Sequence, residues 1–335
     1  MNSLSRSPFH RRRALVLGAS GFIGYWLSRA LRAQGAHVTC AVRSHEAAER
    51  LTKEHLGQVI VRRDLADLDA LEEWLPALRP SVVFNLSGYG VDRGERDEST
   101  ADLLNHRLVE RLARVIAALP HDEWVGLRLL HAGSALEYGT TGGVLAEDSP
   151  CLPTTVYGRT KLAGTEALQR VVRETGLDAV VARLFTVYGP GEHAGRLLPS
   201  ILEAARSGTP LLLSEGLQRR DFAYVEEVTE GMLRLAVSEV KPGEVVNLAT
   251  GAMHSVRDFV EASAAVLRVE PALIRFGALP SRTDDMEHEG VSVSRLRACT
   301  AWAPADDITE GVVRTLARLA EASQRAAGVA ALPRG

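Results

Sequence analysis

Short apolar runs alternate with longer amphipathic runs through the first half of the chain, and this alternation is typical of βαβ units that build a parallel sheet. We predict strands at residues 14–17, 37–42, 58–61, 82–85, 127–131 and 179–184. We predict helices between them at residues 22–34, 46–54, 68–78, 99–119 and 156–175. After Pro190 the alternation becomes irregular, with helices near residues 197–207, 226–237, 256–267 and 310–322. The pattern predicts an α/β fold with an open parallel sheet.

The first predicted strand leads into a glycine-rich turn, and an apolar helix follows it. The turn reads Gly18-Ala-Ser-Gly21-Phe-Ile-Gly24, one residue longer than the commoner dinucleotide fingerprint. Glycines let the backbone turn tightly and approach a pyrophosphate, which then binds the unpaired N–H groups at the start of the helix. The sequence therefore predicts a dinucleotide site, whose residues are Gly18, Ser20, Gly21, Phe22, Ile23 and Gly24.

Tyr157 and Lys161 lie four positions apart in a predicted helix, so their side chains are expected on one face, a single turn apart. An ammonium beside a phenol favours the ionised form, so we expect the pKa of Tyr157 to fall from its usual value of about 10. Such a phenol can exchange protons near neutral pH. Ser134 ends an apolar strand 23 residues earlier. The alternative is an unrelated surface pair of Tyr and Lys.

Together, these motifs resemble the extended short-chain dehydrogenase/reductase family, whose members act on nucleotide-activated sugars. Further matches are Glu137-Tyr138-Gly139, the run from Arg183 to Gly191, and the run from Arg220 to Val228. The resemblance implies a Rossmann-type doubly wound parallel sheet with a smaller C-terminal substrate-binding lobe. Residues 13–185 and 221–250 would form the NAD(P)-binding domain, and residues 186–220 and 251–335 the lobe. We predict that residues 1–12 form a disordered tail.

The end of the second predicted strand bears on the choice of cofactor. It reads Val42-Arg43-Ser44, with no acid before Glu46. An NAD site usually places a carboxylate here for the ribose hydroxyls, whereas Arg43 and Ser44 suit a 2′-phosphate. We therefore favour NADP(H), with NAD(H) as the alternative if Arg43 is only a solvent-exposed strand end. The resemblance places Asp64 and Leu65 near the adenine, and Leu86 and Ser87 near the nicotinamide.

The resemblance also implies the catalytic roles. Tyr157 would donate a proton to the alkoxide formed by hydride transfer, Ser134 would hydrogen-bond the same oxygen, and Lys161 would lower the pKa of Tyr157 and bind the nicotinamide ribose. Relatives that eliminate water carry an Asp-Glu pair directly after the catalytic Ser or Thr, and the sugar-acid decarboxylases carry a Glu two residues after it. This chain has Ala135 and Leu136 at these positions. We interpret Glu137, the next residue, as a surface or structural carboxylate that faces away from the site.

Ketone reduction and epimerisation remain. The predicted preference for NADPH favours a ketoreductase of a nucleotide-activated sugar, and family precedent suggests carbon 4 of an NDP-4-keto-6-deoxyhexose. The alternative is an NAD-dependent nucleotide-sugar 4-epimerase, and a third possibility is a catalytically silent binding protein. For the substrate diphosphate, the resemblance points to Arg220 and Arg282, with Arg196 as a weaker candidate. Thr186 stands where many relatives have Asn.

Composition narrows the class of protein. The net charge of −3 in 335 residues gives no electrostatic reason to expect a nucleic-acid partner, and no apolar run reaches membrane-spanning length. Three widely spaced cysteines suit free thiols, so we expect a cytoplasmic enzyme, and we assign no metal ligands. Family precedent implies a homodimer through the helices at residues 99–119 and 156–175. The apolar stripe Leu104, Leu108, Leu112 and Val115 would permit that pairing or pack against the sheet.

Overall fold

The computed structural model describes residues 7–61, 67–91, 94–280 and 286–330, with side chains up to residue 325. The strands are β1 Arg13–Leu17, β2 His37–Val42, β3 Gln58–Val61, β4 Val82–Asn85, β5 Leu129–Ser134, β6 Val144–Leu145, β7 Ala179–Leu184, β8 Thr186–Tyr188, β9 Leu211–Leu212, β10 Arg219–Arg220, β11 Phe222–Tyr224, β12 Val245–Leu248, β13 His254–Ser255, β14 Ile274–Arg275 and β15 Gly290–Val291. The helices are α1 Phe22–Ala33, α2 His45–Lys53, α3 Ala70–Leu78, α4 Glu98–Asp102, α5 Leu108–Ala118, α6 Val156–Thr175, α7 Leu197–Ser207, α8 Val225–Ala236, α9 Val256–Leu267, α10 Ser294–Thr300 and α11 Ile308–Ala330.

Seven strands form one parallel sheet in the order β12-β7-β5-β4-β1-β2-β3. The strand order reverses direction between β1 and β4, where Leu17 pairs with Asn85 at the carboxyl ends. A ligand crevice opens at such a switch point, because the loops leaving the two strands run to opposite faces of the sheet. The predicted Rossmann-type fold is confirmed, and β12 adds a seventh strand to the six that were predicted.

Alternate residues of the central strands face two different helical layers. Val16 packs with Leu27 of α1 and Met232 of α8, whereas Leu15 and Leu17 pack with α3, α5 and α6 on the other face. Strands buried on both faces read as continuous apolar runs, and this explains why the predicted strand positions agree closely with the observed ones. No helix in the described ranges combines the length and apolar character that a bilayer crossing requires.

Three predictions need correction or completion. The stripe Leu104, Leu108, Leu112 and Val115 is at most 9% exposed and packs against the sheet, so it does not provide an outward apolar face. Residues 7–12 are not a disordered tail, because Phe9 is buried against Trp124 with ring centroids 5.4 Å apart. Residues 1–6 lie outside the described part of the chain. The predicted helix at residues 99–119 is divided by a π-helical turn, Leu103–Arg107.

The C-terminal part packs beside the sheet through small strand pairs and helices. The strand β10 pairs with β13, and α7 and α11 both pack against α9. Arg314 and Arg318 of α11 form ion pairs with Glu226 of α8 at 2.7 Å each. The division into two lobes stays a prediction. These ion pairs join α11, in the predicted substrate-binding lobe, to α8, in the predicted NAD(P)-binding domain. Cys40, Cys151 and Cys299 form no disulfide, as predicted.

Candidate active site

A cleft of about 660 Å³ lies at the carboxyl ends of β1, β4, β5 and β7. The ends of these strands and the segments that directly follow them supply many of its lining residues. The lining includes Gly18, Ser20, Gly21, Phe22, Ile23, Gly24, Arg43, Leu86, Ser87, Ser134, Tyr157, Lys161, Thr186, Arg196 and Arg220. The tertiary structure thus brings most of the sequence-predicted site residues to one place. Asp64, Leu65 and Arg282 lie outside the described residues.

The glycine turn leaves the start of α1 open to a ligand. Gly18 has φ of +77°, and a Cβ there would lie 2.7 Å from the Leu86 carbonyl oxygen. A Cβ on Gly24 would lie 2.2 Å from the carbonyl oxygen of Gly18. Gly21 caps α1 without a side chain, and the first turn of the helix contains no acid. The unpaired N–H groups and the positive end of the helix dipole fit a dinucleotide pyrophosphate.

Ser134 and Tyr157 meet at the end of β5. The Ser134 hydroxyl accepts a hydrogen bond from the Leu136 amide at 3.2 Å, and its interaction with the Tyr157 side chain favours the ionised phenol and so acts to lower the pKa of Tyr157. Thr155 caps α6 by accepting from the Gly158 amide at 3.0 Å, which fixes the first turn that carries Tyr157. Gly90 packs against the Tyr157 ring, since a Cβ there would lie 3.2 Å from Cδ2. A proton donor and a hydroxyl are therefore held together in the cleft.

Lys161 occupies the same face of α6, but the pKa of Tyr157 is raised overall rather than lowered. The Nζ of Lys161 donates to the Ala132 carbonyl oxygen at 2.5 Å. Burial raises the pKa of Tyr157 to about 12, against smaller lowering effects of Ser134 and Arg196. Burial also lowers the pKa of Lys161 to about 8, against the opposing effect of Glu137. The predicted fall in the tyrosine pKa is wrong for this structure, because desolvation dominates for both groups.

The end of the cleft beside β2 is cationic. Arg43 is exposed at the end of β2 and lines the cleft, whereas Ser44 caps α2 by accepting from the Ala47 amide at 3.1 Å and does not line it. Arg50 was not predicted as a site residue, but it donates from α2 to the Ser20 carbonyl oxygen at 2.7 Å. Its position seven residues after Arg43, near the end of the helix that follows β2, was the available signal. Leu86 and Ser87 line the cleft, and Ser87 is bonded to the Asn85 side chain.

The opposite end of the cleft combines three predicted side chains, Thr186, Arg196 and Arg220, with two that were not predicted, Glu192 and His288. Arg220 donates to the Met286 carbonyl oxygen at 2.9 Å, and Thr186 and Arg196 also line this end. The Glu192 side chain is only 7% exposed, and burial raises its pKa to about 7. The ring of His288 lies 6.4 Å from that of Phe185, and its nitrogens are buried without hydrogen bonds to the described residues. No local pattern distinguishes Glu192 or His288 in the sequence.

The positions directly after Ser134 carry no acid. Ala135 and Leu136 line the cleft, and neither can transfer a proton. Glu137 is fully buried, lies outside the cleft lining, and pairs with Arg183 at 2.8 Å. It is therefore a structural carboxylate of the interior. The cleft can therefore protonate or deprotonate one substrate oxygen through Tyr157. It has no second acid at residues 135 and 136, where an acid is expected in dehydratases and decarboxylases.

Comparison with known proteins gives consistent results. The chain is 30% identical over 308 residues to dTDP-6-deoxy-L-talose 4-dehydrogenase (NAD(P)(+)) from Kitasatospora kifunensis, covering 90% of this chain and 93% of the relative. It is 28% identical to UDP-glucose 4-epimerase from Mycolicibacterium smegmatis, covering 91% and 97%. UDP-glucuronic acid 4-epimerase from Bacillus cereus, solved with UDP-glucuronic acid and NAD, shares the fold with a TM-score of 0.77 at 23% identity, covering 90% and 97%.

The family model for the NAD dependent epimerase/dehydratase family matches residues 14–249. This range contains the glycine turn, Ser134, Tyr157 and Lys161, as well as the strands that bring them together. The chain belongs to the NAD dependent epimerase/dehydratase family, within the extended short-chain dehydrogenases/reductases.

Proposed function

We propose that this enzyme reduces the 4-keto group of a nucleotide-activated 6-deoxyhexose with NADPH, or catalyses the reverse oxidation. One observation carries this proposal: the end of the cleft beside β2 presents Arg43, with Arg50 nearby, where an NAD site usually presents a carboxylate. Two guanidinium groups suit the doubly charged 2′-phosphate that distinguishes NADPH from NADH.

The residues around the reacting carbon would work together on one oxygen. NADPH supplies the hydride when bound. Tyr157 donates its proton to the oxygen as negative charge develops, and Ser134 hydrogen-bonds the same oxygen. With a pKa of about 12, Tyr157 remains protonated at neutral pH, and this is the form that a reductase requires. Lys161 adds positive charge to the buried site at pH values below its own pKa of about 8.

The substrate assignment is supported by charge and by similarity. Arg196 and Arg220 line the end of the cleft away from Arg43, where they suit the diphosphate of a nucleotide sugar. The relative from Kitasatospora kifunensis is named for oxidation at carbon 4 of a dTDP-6-deoxy sugar with NAD(P)+. Its reverse reaction is the ketone reduction proposed for this chain. Thr186 provides a hydroxyl where many relatives have an amide, so the contact with the diphosphate would differ in detail.

The decisive experiment is to mix the purified enzyme with dTDP-4-keto-6-deoxyglucose and either NADPH or NADH, and to follow loss of reduced-cofactor absorbance. We expect turnover with NADPH that exceeds turnover with NADH, and formation of a dTDP-6-deoxyhexose with a hydroxyl at carbon 4. No consumption of either cofactor with 4-keto sugar nucleotides would contradict the proposal.

A 4-epimerase is the second candidate, since the relative from Mycolicibacterium smegmatis and the Bacillus cereus structure are both named epimerases. An epimerase returns the hydride to its substrate, so it would retain NAD through purification. Denaturation followed by chromatography of released dinucleotide separates the two candidates. Substantial NAD, together with interconversion of UDP-glucose and UDP-galactose, would favour the epimerase.

We also propose that the enzyme is a homodimer paired through the outward faces of α5 and α6. These helices pack side by side, and Arg114 bridges them by ion pairs with Glu110 at 3.0 Å and Glu174 at 2.8 Å. Because the apolar stripe of α5 faces the sheet, such an interface would be polar. Light scattering after size-exclusion chromatography should give twice the mass of 36.2 kDa, and a monomer would refute it.

A further inference from the structure

Glu137 connects three elements that carry the catalytic groups. Its Oε1 accepts a hydrogen bond from the backbone amide of Ser134 at 2.7 Å. Its Oε2 accepts from the hydroxyl of Thr165 at 3.0 Å, and Thr165 follows Lys161 by one turn of α6. The same oxygen accepts from Arg183 of β7 at 2.8 Å. A single carboxylate thus joins the end of β5, the helix of Tyr157 and Lys161, and the neighbouring strand.

The pair of Glu137 and Arg183 is unusual because both side chains are almost fully buried, at 0% and 2% exposure. The Arg183 guanidinium also lies 4.3 Å from the centroid of the Tyr138 ring and donates to Cys151 Sγ at 3.4 Å. Removing two charges from water is costly, and a buried ion pair is often no more stabilising than apolar residues of similar volume. Stability alone therefore does not account for this pair.

We propose that Glu137, held by Arg183, is a positioning residue for Ser134, Tyr157 and Lys161, and that its buried negative charge acts on the last two side chains. The geometry supports the positioning role, since Glu137 accepts hydrogen bonds directly from the Ser134 amide and from Thr165 of α6. The electrostatics supports the role of its charge, because the negative charge of Glu137 acts to raise the pKa of both Lys161 and Tyr157.

Other charged and titratable groups near this centre come from several elements. His131 of β5 lies beside Lys161, and desolvation keeps its pKa well below the usual value, so its ring is neutral. Glu95 after β4 and Arg196 before α7 act on Tyr157 in opposite directions. Among these groups, only Glu137 influences both Tyr157 and Lys161. Its removal should therefore lower both pKa values together, whereas a change at Glu95 or Arg196 should affect Tyr157 alone.

The small number of lysines allows a direct test. Lys53, Lys161 and Lys241 are the only lysines in the chain, so protein labelled with ¹³C-lysine gives three side-chain signals, and Lys161→Met identifies one of them. We expect Glu137→Gln to lower the titration midpoint of Lys161 by about one pH unit. The control Glu110→Gln removes the same charge from a surface network with Arg114 and Arg170. It should leave the Lys161 midpoint unchanged.

A second variant addresses the risk that Glu137→Gln leaves Arg183 unpaired and unfolds the protein. The double variant Glu137→Leu/Arg183→Met replaces both charges with apolar groups of similar volume, which should preserve the fold. It should show the same fall in the Lys161 midpoint. An unchanged midpoint in either folded variant would overturn the proposal, because a purely structural carboxylate would affect melting temperature without affecting the titration.

The kinetic arm rests on the proposed reductase activity, whereas the titration needs no substrate. In folded variants we expect kcat with a 4-keto sugar nucleotide to fall about tenfold, with little change in KM. We also expect the alkaline limb of the pH profile to move to lower pH, since a lysine of lower pKa loses its proton earlier. A shifted titration in an enzyme that reduces no 4-keto sugar supports the role of Glu137 and refutes the proposed function. An unshifted Lys161 titration in an enzyme that does reduce a 4-keto sugar nucleotide supports the proposed function and refutes the role of Glu137.

Discussion

The indole nitrogen of Trp26 donates a hydrogen bond to the carbonyl oxygen of Pro190 at 2.7 Å, across 164 positions of the chain. Trp26 belongs to α1, whose first turn faces the cofactor end of the cleft, and Pro190 begins the segment that carries Glu192 and Arg196. One buried contact therefore joins the helix after the glycine turn to the end of the cleft at which we propose that the substrate binds.

Trp26→Phe keeps an aromatic ring but removes this hydrogen bond. We expect a loss of about 1 kcal/mol in the free energy of unfolding and a rise of about fivefold in KM for the sugar nucleotide, because the segment with Arg196 is no longer held. Chemical denaturation and steady-state kinetics measure the two effects.

Trp124→Phe is a matched control, since the Trp124 indole donates to the Leu127 carbonyl oxygen at 2.9 Å outside the cleft. It should cost similar stability without changing KM. Equal kinetic effects of the two variants would show that the contact of Trp26 with Pro190 has no particular role in substrate binding.

Replacing the proton donor should abolish most of the activity without unfolding the protein. Tyr157→Phe removes the hydroxyl that donates to the substrate oxygen, and we expect kcat to fall by about 10² to 10⁴. Melting temperature and NADPH binding, measured by fluorescence, should change little. Tyr25→Phe, at a half-buried position whose hydroxyl is hydrogen-bonded to Glu54 outside the cleft, should retain full activity. Retained turnover in Tyr157→Phe would require a different proton donor.

Arg43 should determine the preference between NADPH and NADH. Arg43→Ala removes a charge-assisted contact with the 2′-phosphate, so we expect KM for NADPH to rise about 10-fold to 100-fold, with little change for NADH. Arg206→Ala is a suitable control, because Arg206 is exposed on α7 and pairs with Glu203. Should both cofactors be affected equally by Arg43→Ala, the residue does not recognise the 2′-phosphate.

Asp221 predicts a pH dependence of stability. Its carboxylate accepts hydrogen bonds from the amides of Thr250 at 2.9 Å and Gly251 at 2.7 Å, but burial dominates and raises its pKa to about 6. The folded state then binds a proton more tightly than the unfolded chain, whose aspartates have a pKa near 3.8. Stability from this group is complete below about pH 4 and is lost as the pH rises through about 6.

The measurement compares the wild type with Asp221→Asn by chemical denaturation from pH 4 to pH 7. The stability advantage of the wild type should shrink with rising pH by on the order of 2 kcal/mol. The comparison cancels the contributions of other carboxylates, such as Asp102 and Glu226, whose pKa values are lowered by arginine or histidine partners. Parallel curves would place the folded-state pKa of Asp221 near that of the unfolded chain.

Local information in the sequence determined the secondary structure, the glycine turn and the spacing of Tyr157 and Lys161. Periodic apolar positions and turn residues act over a few neighbours, so the sheet strands and the helix Val156–Thr175 could be predicted closely. These inferences needed no knowledge of distant contacts. Glu137 lies outside the cleft lining as predicted, but side-chain alternation along an extended chain does not explain this, because Ala135–Glu137 forms a 3-10 turn.

Tertiary packing decided what the side chains do. Whether the stripe with Leu104 faced a partner or the sheet depended on which residues lay opposite it, and these come from distant strands. The direction of the Lys161 ammonium and the raised pKa of Tyr157 depend on burial, which no local pattern specifies. The same holds for the ion pair of Glu137 with Arg183, 46 positions apart. Periodicity describes which face of an element is apolar, whereas desolvation and pairing depend on the residues that the fold brings against it.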